Sequence, residues 1–327
     1  MSEADLLPLV SALGDGEWHS GERLAARAGI TRAGLAKRIE RLREWGLVID
    51  SRHGLGYRLE APLDPLDEAA LRRACPALRL TVAARLASTN ASLLAADPAA
   101  DPQALLAESQ SAGRGRQGRT WVSPYGRNLY LSLAWSFPAW PPAITALPLQ
   151  VGVSVATALT AQGLSRLRLK WPNDLVIEQD GGWRKLGGIL IEQRGEAGGS
   201  CRVVIGIGLN HAMSTAQATA IEQPWISLAE ALAAEGRPLP RRTVVASAVL
   251  GQLQADLPRF AREGFAAARA HWLALDATRD RAVRLLSAGA AISGIARGVD
   301  AQGALLLDTA EGLRPQHAGD LSLRLDP

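Results

Sequence analysis

Three arginines, three glycines and a tryptophan crowd into one short stretch, "AGRGRQGRTW", from Ala112 to Trp121. Arg114, Arg116 and Arg119 repel one another there, and glycine gives the backbone no stiffness to hold them apart. Anion capture reconciles the two. An anionic ligand neutralises the guanidinium groups, while the glycines let backbone N–H groups approach it closely. Trp121 adds a flat apolar surface that stacks on a purine or covers an apolar ligand. Gly113, Gly115 and Gly118 also satisfy G-x-G-x-x-G, but that dinucleotide fingerprint works only where the glycines open a helix. Here the chain continues as "TWVSPYGRNLYLSLAW", with Pro124, Gly126 and a strand pattern. The loop reads as a cationic flap.

Lysine is the second chemical clue. Of 36 basic residues 33 are arginine, and the lysines are Lys37, Lys170 and Lys185. A compact ammonium reaches one phosphate oxygen as a point charge, whereas a guanidinium presents a wide fork. Lys170 opens "KWPND", in which Asp174 offers a carboxylate to a hard cation and Asn173 a neutral partner. An ordinary turn after a strand would carry the same letters. Ser88, Thr89, Asn90 and Gln110 make a small polar set, although "STN" before "ASLLAA" is equally a helix start. Gly188, Gly206 and Gly208 let backbone lie against a ligand or mark bulges. Five scattered histidines give no convincing nucleophile–base arrangement. Cys75 and Cys201 lack ligand spacing, which fits a reducing cytosol better than a disulfide framework.

Something must position these groups, and 327 residues are too many for one small core. Residues 1–62 read as a helix-turn-helix with a wing. Leu6, Leu9, Val10 and Leu13 share a helical face that Gly14 ends, and Ser20 and Thr31 are candidate caps for two further helices. Leu35, Ile39 and Leu42 point inward on the last of these. Its other face carries Arg32, Lys37, Arg38, Arg41 and Arg43 against Glu40. Residues 1–60 hold nine basic and nine acidic side chains, so this segregation, more than the net charge of +4, points to DNA. A solvated helix in a protein-binding winged domain is the competing reading. On the DNA reading Thr31, Arg32, Lys37, Arg38 and Arg41 make the contacts.

"LEAPLDPLDEAAL" reads as a linker running into a helix. Residues 63–276 then alternate strands ("NLYLSLAW", "RLRLKW", "KLGGILIE", "RVVIGIGLN") with helices near 148–162 and 241–262, a mixed β-sheet with helices packed against it. Residues 277–327 show short strands ("RAVRLL", "AAISGIARGV", "GALLLD", "LSLRL") parted by turns, the pattern of a small β-barrel. The class is α+β multidomain. Residues 128–165 carry no charge, but Pro138, Pro141, Pro142 and Pro148 interrupt them, so a buried strand and helix are expected rather than a membrane span. "MSEADLLPLV" lacks the basic start of a secretory signal. No membrane partner and a cytoplasmic location are expected.

"STN", "QSAGRGRQGRTW", "SPYGRNLYLS", "KWPNDL", "KLGGILIE" and "GIGLN" occur in the order seen in biotin–protein ligases. With the winged helix in front and a small barrel behind, the chain resembles the bifunctional biotin ligase and biotin operon repressor family over nearly its whole length. The resemblance implies a class II synthetase-like catalytic domain and an SH3-like C-terminal domain. It implies an enzyme that joins biotin to AMP using ATP and Mg²⁺, then transfers biotin to a lysine of the biotin carboxyl carrier protein. Ser88, Thr89, Asn90, Gln110, Gly113, Gly188, Gly206 and Gly208 would then bind biotin. Arg114 and Arg116 would close over the adenylate, and Lys185 would contact both the biotin carboxylate and the α-phosphate. Lys170, Asn173, Asn210 and Trp121 would serve ATP, and Asp174 the metal or the acceptor lysine. Gln117 departs from the family pattern, which more often has arginine there. The resemblance also implies a ligand-dependent homodimer, formed by edge-to-edge sheet pairing, on a palindromic operator. A lipoate ligase of related fold, a biotin-sensing transcription factor without catalysis, and a ligase that no longer regulates remain open alternatives.

Overall fold

The computed structural model describes residues 3–195, 199–287, 290–319 and 321–325. The N-terminal unit is α1 (Leu7–Leu13), α2 (Gly21–Arg27), α3 (Arg32–Glu44), β1 (Ile49–Arg52) and β2 (Gly56–Leu59). Leu9, Val10 and Leu13 pack with Leu35, Ile39 and Leu42 in a core of their own, as the periodicity predicts. Thr31 Oγ1 accepts the Gly34 N–H at 3.1 Å and starts α3. Ser20 stands at the start of α2 but makes no capping bond, contrary to expectation. The β1–β2 wing returns through Gly56, with φ +104°, where a Cβ would sit 2.0 Å from the His19 carbonyl oxygen. That close approach lets His19 and Tyr57 exchange two backbone hydrogen bonds of 2.8 and 2.9 Å.

The middle region runs α4 (Glu68–Ala74), β3 (Arg79–Ala83), α5 (Thr89–Ala95), β4 (Gln103–Ala107), β5 (Leu129–Phe137), α6 (Leu147–Ala161), β6 (Leu167–Lys170), β7 (Asp174–Gln179), β8 (Gly182–Arg194), β9 (Cys201–Leu209), α7 (Leu228–Ala233), α8 (Arg242–Glu263) and α9 (Ala266–Leu275). The seven strands order as β3-β4-β5-β9-β8-β7-β6, with β3–β4 the parallel pair. The central strands are covered on both faces and so read as apolar runs rather than strict alternations. Long helices α6 and α8 bury Val151, Val155, Leu159, Val245, Val249 and Leu253 on one side. Leu93 of α5 meets Ala134 and Val204 on the other. Residues Ile144–Ala161 are long and apolar enough to cross a membrane, yet 67% of them are buried in this core.

The C-terminal unit is β10 (Ala282–Ser287), β11 (Ala290–Val299), β12 (Leu305–Thr309), β13 (Gly312–Gln316) and β14 (Ser322–Leu325). They form an antiparallel sheet ordered β13-β12-β11-β10-β14. Strand β13 escapes sequence reading because it contains Pro315 and lies exposed, which an edge strand tolerates. Val283, Leu285, Val299, Leu307 and Leu323 belong to the same buried cluster as the middle region, whereas the winged unit keeps a separate core.

The segment before α4 is bolted down rather than a free tether. Arg127 donates to the Ala61 and Pro62 carbonyls at 2.7 and 2.9 Å. Arg242, fully buried, donates to Asp64 O at 2.8 Å and Asn128 O at 2.9 Å and pairs with Glu108. Glu108 in turn accepts the Leu66 N–H at 2.7 Å. Each charge is needed by the others, since a buried ion left alone costs several kcal/mol.

Nearby, burial pushes the His211 imidazole down to about 4, against the bond of its Nε2 to Pro240 O at 2.8 Å. The folded protein therefore keeps His211 neutral where the unfolded chain protonates it. Stability is complete above pH 6.5 and falls by about 3 kcal/mol as pH drops to 4. Denaturant titrations between pH 7.5 and 4.5 should show this slope in the wild type and a much flatter one in His211→Gln; parallel slopes would contradict it.

Candidate active site

One face of the sheet carries the site. Tyr130 and Ser132 of β5, Gly206 and Gly208 of β9, and Gly188 and Leu190 of β8 share it by register. The cationic stretch closes over them as a small hairpin, with Trp121 N–H bonded to Gly113 O at 2.9 Å and Gly115 N–H to Arg119 O at 2.7 Å. Gln117 and Gly118 turn its tip with φ of +56° and +70°. Beneath lies a cavity of about 130 Å³, and beside it a second of about 630 Å³. Trp121, Arg119, Thr120, Gln223 and Lys185 line both.

At one end of the first cavity the start of α5 presents Ser88, Thr89 and Asn90, all buried. Ser88 Oγ is 3.4 Å from Ala91 N, so the helix-start reading of "STN" holds. Gln110 Oε1 accepts from Thr89 N and Thr89 Oγ1 at 2.9 and 3.1 Å, and its Nε2 donates to Ser123 at 3.3 Å. Ser132 Oγ lies 2.7 Å from Thr89 Oγ1 and 2.5 Å from Asn90 Oδ1. Ser123 and Ser132 escape sequence reading because their partners lie up to 43 residues away.

The glycines also do a job that the sequence does not suggest. A Cβ at Gly206 would stand 2.3 Å from Asn90 Oδ1, and one at Gly208 would stand 2.5 Å from the Trp121 ring. They admit side chains of the protein as well as facing the cavity. Gly113 does not line either cavity; it packs against Trp121 O, Ser123 and Gln110. The indole N–H of Trp121 is buried with no partner among the described residues, which leaves a donor for a ligand.

At the other end the cations gather. Lys185 Nζ bonds Asp174 Oδ1 at 2.7 Å and lies 5.6 Å from the Trp121 ring centroid. Lys170 stands 5.3 Å from the Trp183 ring centroid. Burial pushes its ammonium down to about 8; Asp174 pulls it up, and Arg324, Lys185 and Arg119 press it further down. Arg116 donates to Asn173 Oδ1 at 3.2 Å and to the Ala318 and Gly319 carbonyls at 3.0 and 2.6 Å, tying the hairpin to the C-terminal unit. Asn210 lines the second cavity with its amide committed to Lys185 O and Ile226 O. Trp225, Glu222 and Arg324 line that cavity too, and nothing periodic in the sequence around them signals it.

As a metal site the arrangement is spare. Among the described residues no three His, Cys, Asp or Glu side chains cluster, and Asp174 is the one carboxylate lining the first cavity. A hard cation there would take most of its oxygens from a phosphate-bearing ligand.

Helix α3 is more balanced in charge than expected. Arg41 pairs with Glu44, Arg43 with Glu40 and, at 3.2 Å, Arg32 with Glu22. Arg38 donates to Asp5 O at 3.3 Å, while Thr31 and Lys37 are exposed. Exposed pairs of this kind contribute at most about 1 kcal/mol and exchange readily for phosphates.

A polar head pocket joined to a cluster of cations, under a cationic hairpin and behind a helix-turn-helix, defines an acid-activating ligase with a DNA-binding domain. Residues 82–210 match the biotin/lipoate A/B protein ligase family, 279–324 the biotin protein ligase C-terminal domain, and 10–58 an HTH domain. The chain is 40% identical to the bifunctional ligase/repressor BirA of Salmonella typhimurium and 39% to that of Escherichia coli, over 97% of each chain. Among solved structures, a biotin protein ligase from Aquifex aeolicus in complex with biotin and ATP superposes with a TM-score of 0.62 at 28% identity, covering 76% of this chain and 99% of that one. The chain belongs to the biotin/lipoate A/B protein ligase family, in the branch of bifunctional ligase/repressors.

Proposed function

We propose that the chain is an ATP-dependent biotin–[biotin carboxyl carrier protein] ligase that also represses transcription in response to biotin. One observation carries the reading: the Lys185 ammonium stands at the wall common to both cavities. A carboxylate from the first and an α-phosphate from the second can then meet at one cation. A biotin carboxylate oxygen attacks the α-phosphorus, the bond to the β-phosphate oxygen breaks, and pyrophosphate leaves. Lys185 offsets the negative charge that gathers on the transferring oxygens. The deprotonated amine of a carrier lysine then attacks the biotinyl carbonyl carbon, and AMP leaves with the anhydride oxygen.

Ser88, Thr89, Asn90 and Gln110, with Ser132 behind them, are assigned to the ureido ring, which offers two N–H groups and a carbonyl. Gly188, Gly206 and Gly208 face the biotin body, and Gly113 shapes the hairpin. Arg114 and Arg116 cover the adenylate and shield its anhydride from water. Lys170, Asn173, Asn210 and Trp121 serve ATP. Mg²⁺ fits as an ion carried chiefly by ATP phosphates with Asp174 as its protein carboxylate, and it would neutralise phosphate charge there. Thr31, Arg32, Lys37, Arg38 and Arg41 are assigned to operator DNA, bound as a ligand-dependent homodimer in the cytoplasm.

Biotin-dependent ATP–pyrophosphate exchange, run in parallel with lipoate, tests the activity; exchange with neither acid would defeat the ligase reading, and exchange with lipoate alone would change the substrate. Sedimentation with biotin and ATP, and then footprinting, should show association and a protected palindrome. An unchanged sedimentation coefficient would count against the dimer.

A further inference from the structure

Glu192, at the far end of β8, lies outside the residues assigned above, and its Oε2 accepts two hydrogen bonds. One comes from Asn90 Nδ2 at 2.9 Å and the other from Arg114 Nη2 at 3.1 Å. We propose that Glu192 is a positioning residue for the ligase reaction, joining the head-group pocket and the cationic hairpin into one hydrogen-bonded unit. The inference rests on the biotin-ligase reading.

The geometry has two consequences. The first concerns the sense of the Asn90 amide. Its nitrogen is held by Glu192 and, at 3.3 Å, by Leu190 O, while its oxygen meets Ser132 at 2.5 Å. Asn90 is 4% exposed and packs against Gly206, where a Cβ would stand 2.3 Å from its Oδ1, so the amide is closely confined. With both N–H groups committed, only a lone pair of Oδ1 remains for a ligand, and it accepts an N–H rather than facing a carbonyl. The Glu192 oxygen is the acceptor that holds this sense; with no acceptor at that position the amide is free to turn its NH₂ toward the ligand N–H groups, donor against donor.

The second consequence concerns closure. Arg114 is half exposed on the hairpin and its partner carboxylate is 27% exposed. The ion pair is therefore partly screened and modest in strength. It nevertheless fixes the hairpin at its biotin-side end, as the Arg116 bonds to Ala318 and Gly319 fix it at the other. A ligand that pulls on Asn90 pulls through the same oxygen on Arg114, so recognition of the head group and retention of the adenylate are linked.

Glu192→Ala and Glu192→Gln separate the two. The readouts are the KM for biotin, the KM for ATP, and the ratio of biotinyl-AMP released into solution to biotin transferred to the carrier. Glu192→Ala should raise the biotin KM about tenfold, leave the ATP KM within about twofold, and raise the release ratio about fivefold. Glu192→Gln keeps an acceptor for Asn90 but loses the charge facing Arg114. It should restore the biotin KM while keeping the raised release ratio. A wild-type biotin KM and release ratio in Glu192→Ala would overturn the proposal. So would equal rises in both KM values, the mark of general damage, or a Gln variant as poor in biotin KM as the Ala variant. Failure of the underlying reading would show separately, as absence of biotin-dependent exchange in the wild-type chain.

Discussion

Lys185→Ala is expected to lower biotin-dependent ATP–pyrophosphate exchange by about 10²–10³-fold, the range for losing one preorganised group aimed at developing charge. The cations around it are committed elsewhere or, like Arg119 on the same wall, present a planar fork in place of a compact charge. Lys170 is engaged at the Trp183 ring, Arg116 at Asn173 and the C-terminal carbonyls, and Arg114 at Glu192. Removing the ammonium also leaves Asp174, its partner at 2.7 Å, as an unopposed carboxylate beside two incoming anions. Folding should survive, because Lys185 supports the structure through its backbone: its N–H bonds Pro224 O and its carbonyl accepts Ile226 N–H, both at 3.0 Å. The thermal midpoint should therefore stay close to the wild-type value. Lys185→Arg should rescue little, since a planar fork does not reproduce a compact charge between a carboxylate and a phosphate. Transfer to the carrier from supplied biotinyl-AMP gives the internal control, and it should fall far less than exchange. Exchange within tenfold of wild type would remove Lys185 from the chemistry.

That lysine was visible in the sequence because arginine is so abundant that its avoidance stands out. The elements around it were legible for an ordinary reason: periodic burial leaves a periodic trace. Leu35, Ile39 and Leu42 recur at helical spacing and are all buried, and the apolar run of β5 marks a strand covered on both faces. Pairings across long separations leave no such trace. Arg242 and Glu108 are 134 residues apart, and Arg114 and Glu192 are 78 apart. Each looks like one more surface charge until the sheet brings the partners together. The glycines illustrate a subtler limit. Sequence shows that Gly206 and Gly208 carry no side chain, but not that Asn90 and Trp121 fill the space. The wall of the second cavity, with Trp225 and Arg324, was missed because one comes from an irregular segment and the other from a separate sheet.

Lys170 predicts how the nucleotide step depends on pH. Burial holds its ammonium down to about 8, so a substantial part of the population is neutral in mildly alkaline solution. ATP phosphates beside it favour the charged form, as any nearby anion does. Binding must then draw a proton from solvent whenever the free protein lacks one. The KM for ATP should be flat from pH 7 to about 8 and rise toward about tenfold per unit above that, reaching roughly 30-fold by pH 9.5. The phosphates contribute no such slope, since their last ionisation is complete well below pH 8. Biotin's KM should move much less, because the pocket formed by Ser88, Thr89, Asn90 and Gln110 presents no side chain titrating in that range. Isothermal titration of ATP at pH 8.5 in buffers of different ionisation enthalpy would count the proton directly, with an uptake of about three-quarters of a proton. In Lys170→Arg both signatures should vanish, because a guanidinium stays charged throughout, even if the altered geometry weakens ATP at every pH. An ATP KM that stays level to pH 9.5 in the wild type would mean that the Lys170 ammonium does not face the phosphates.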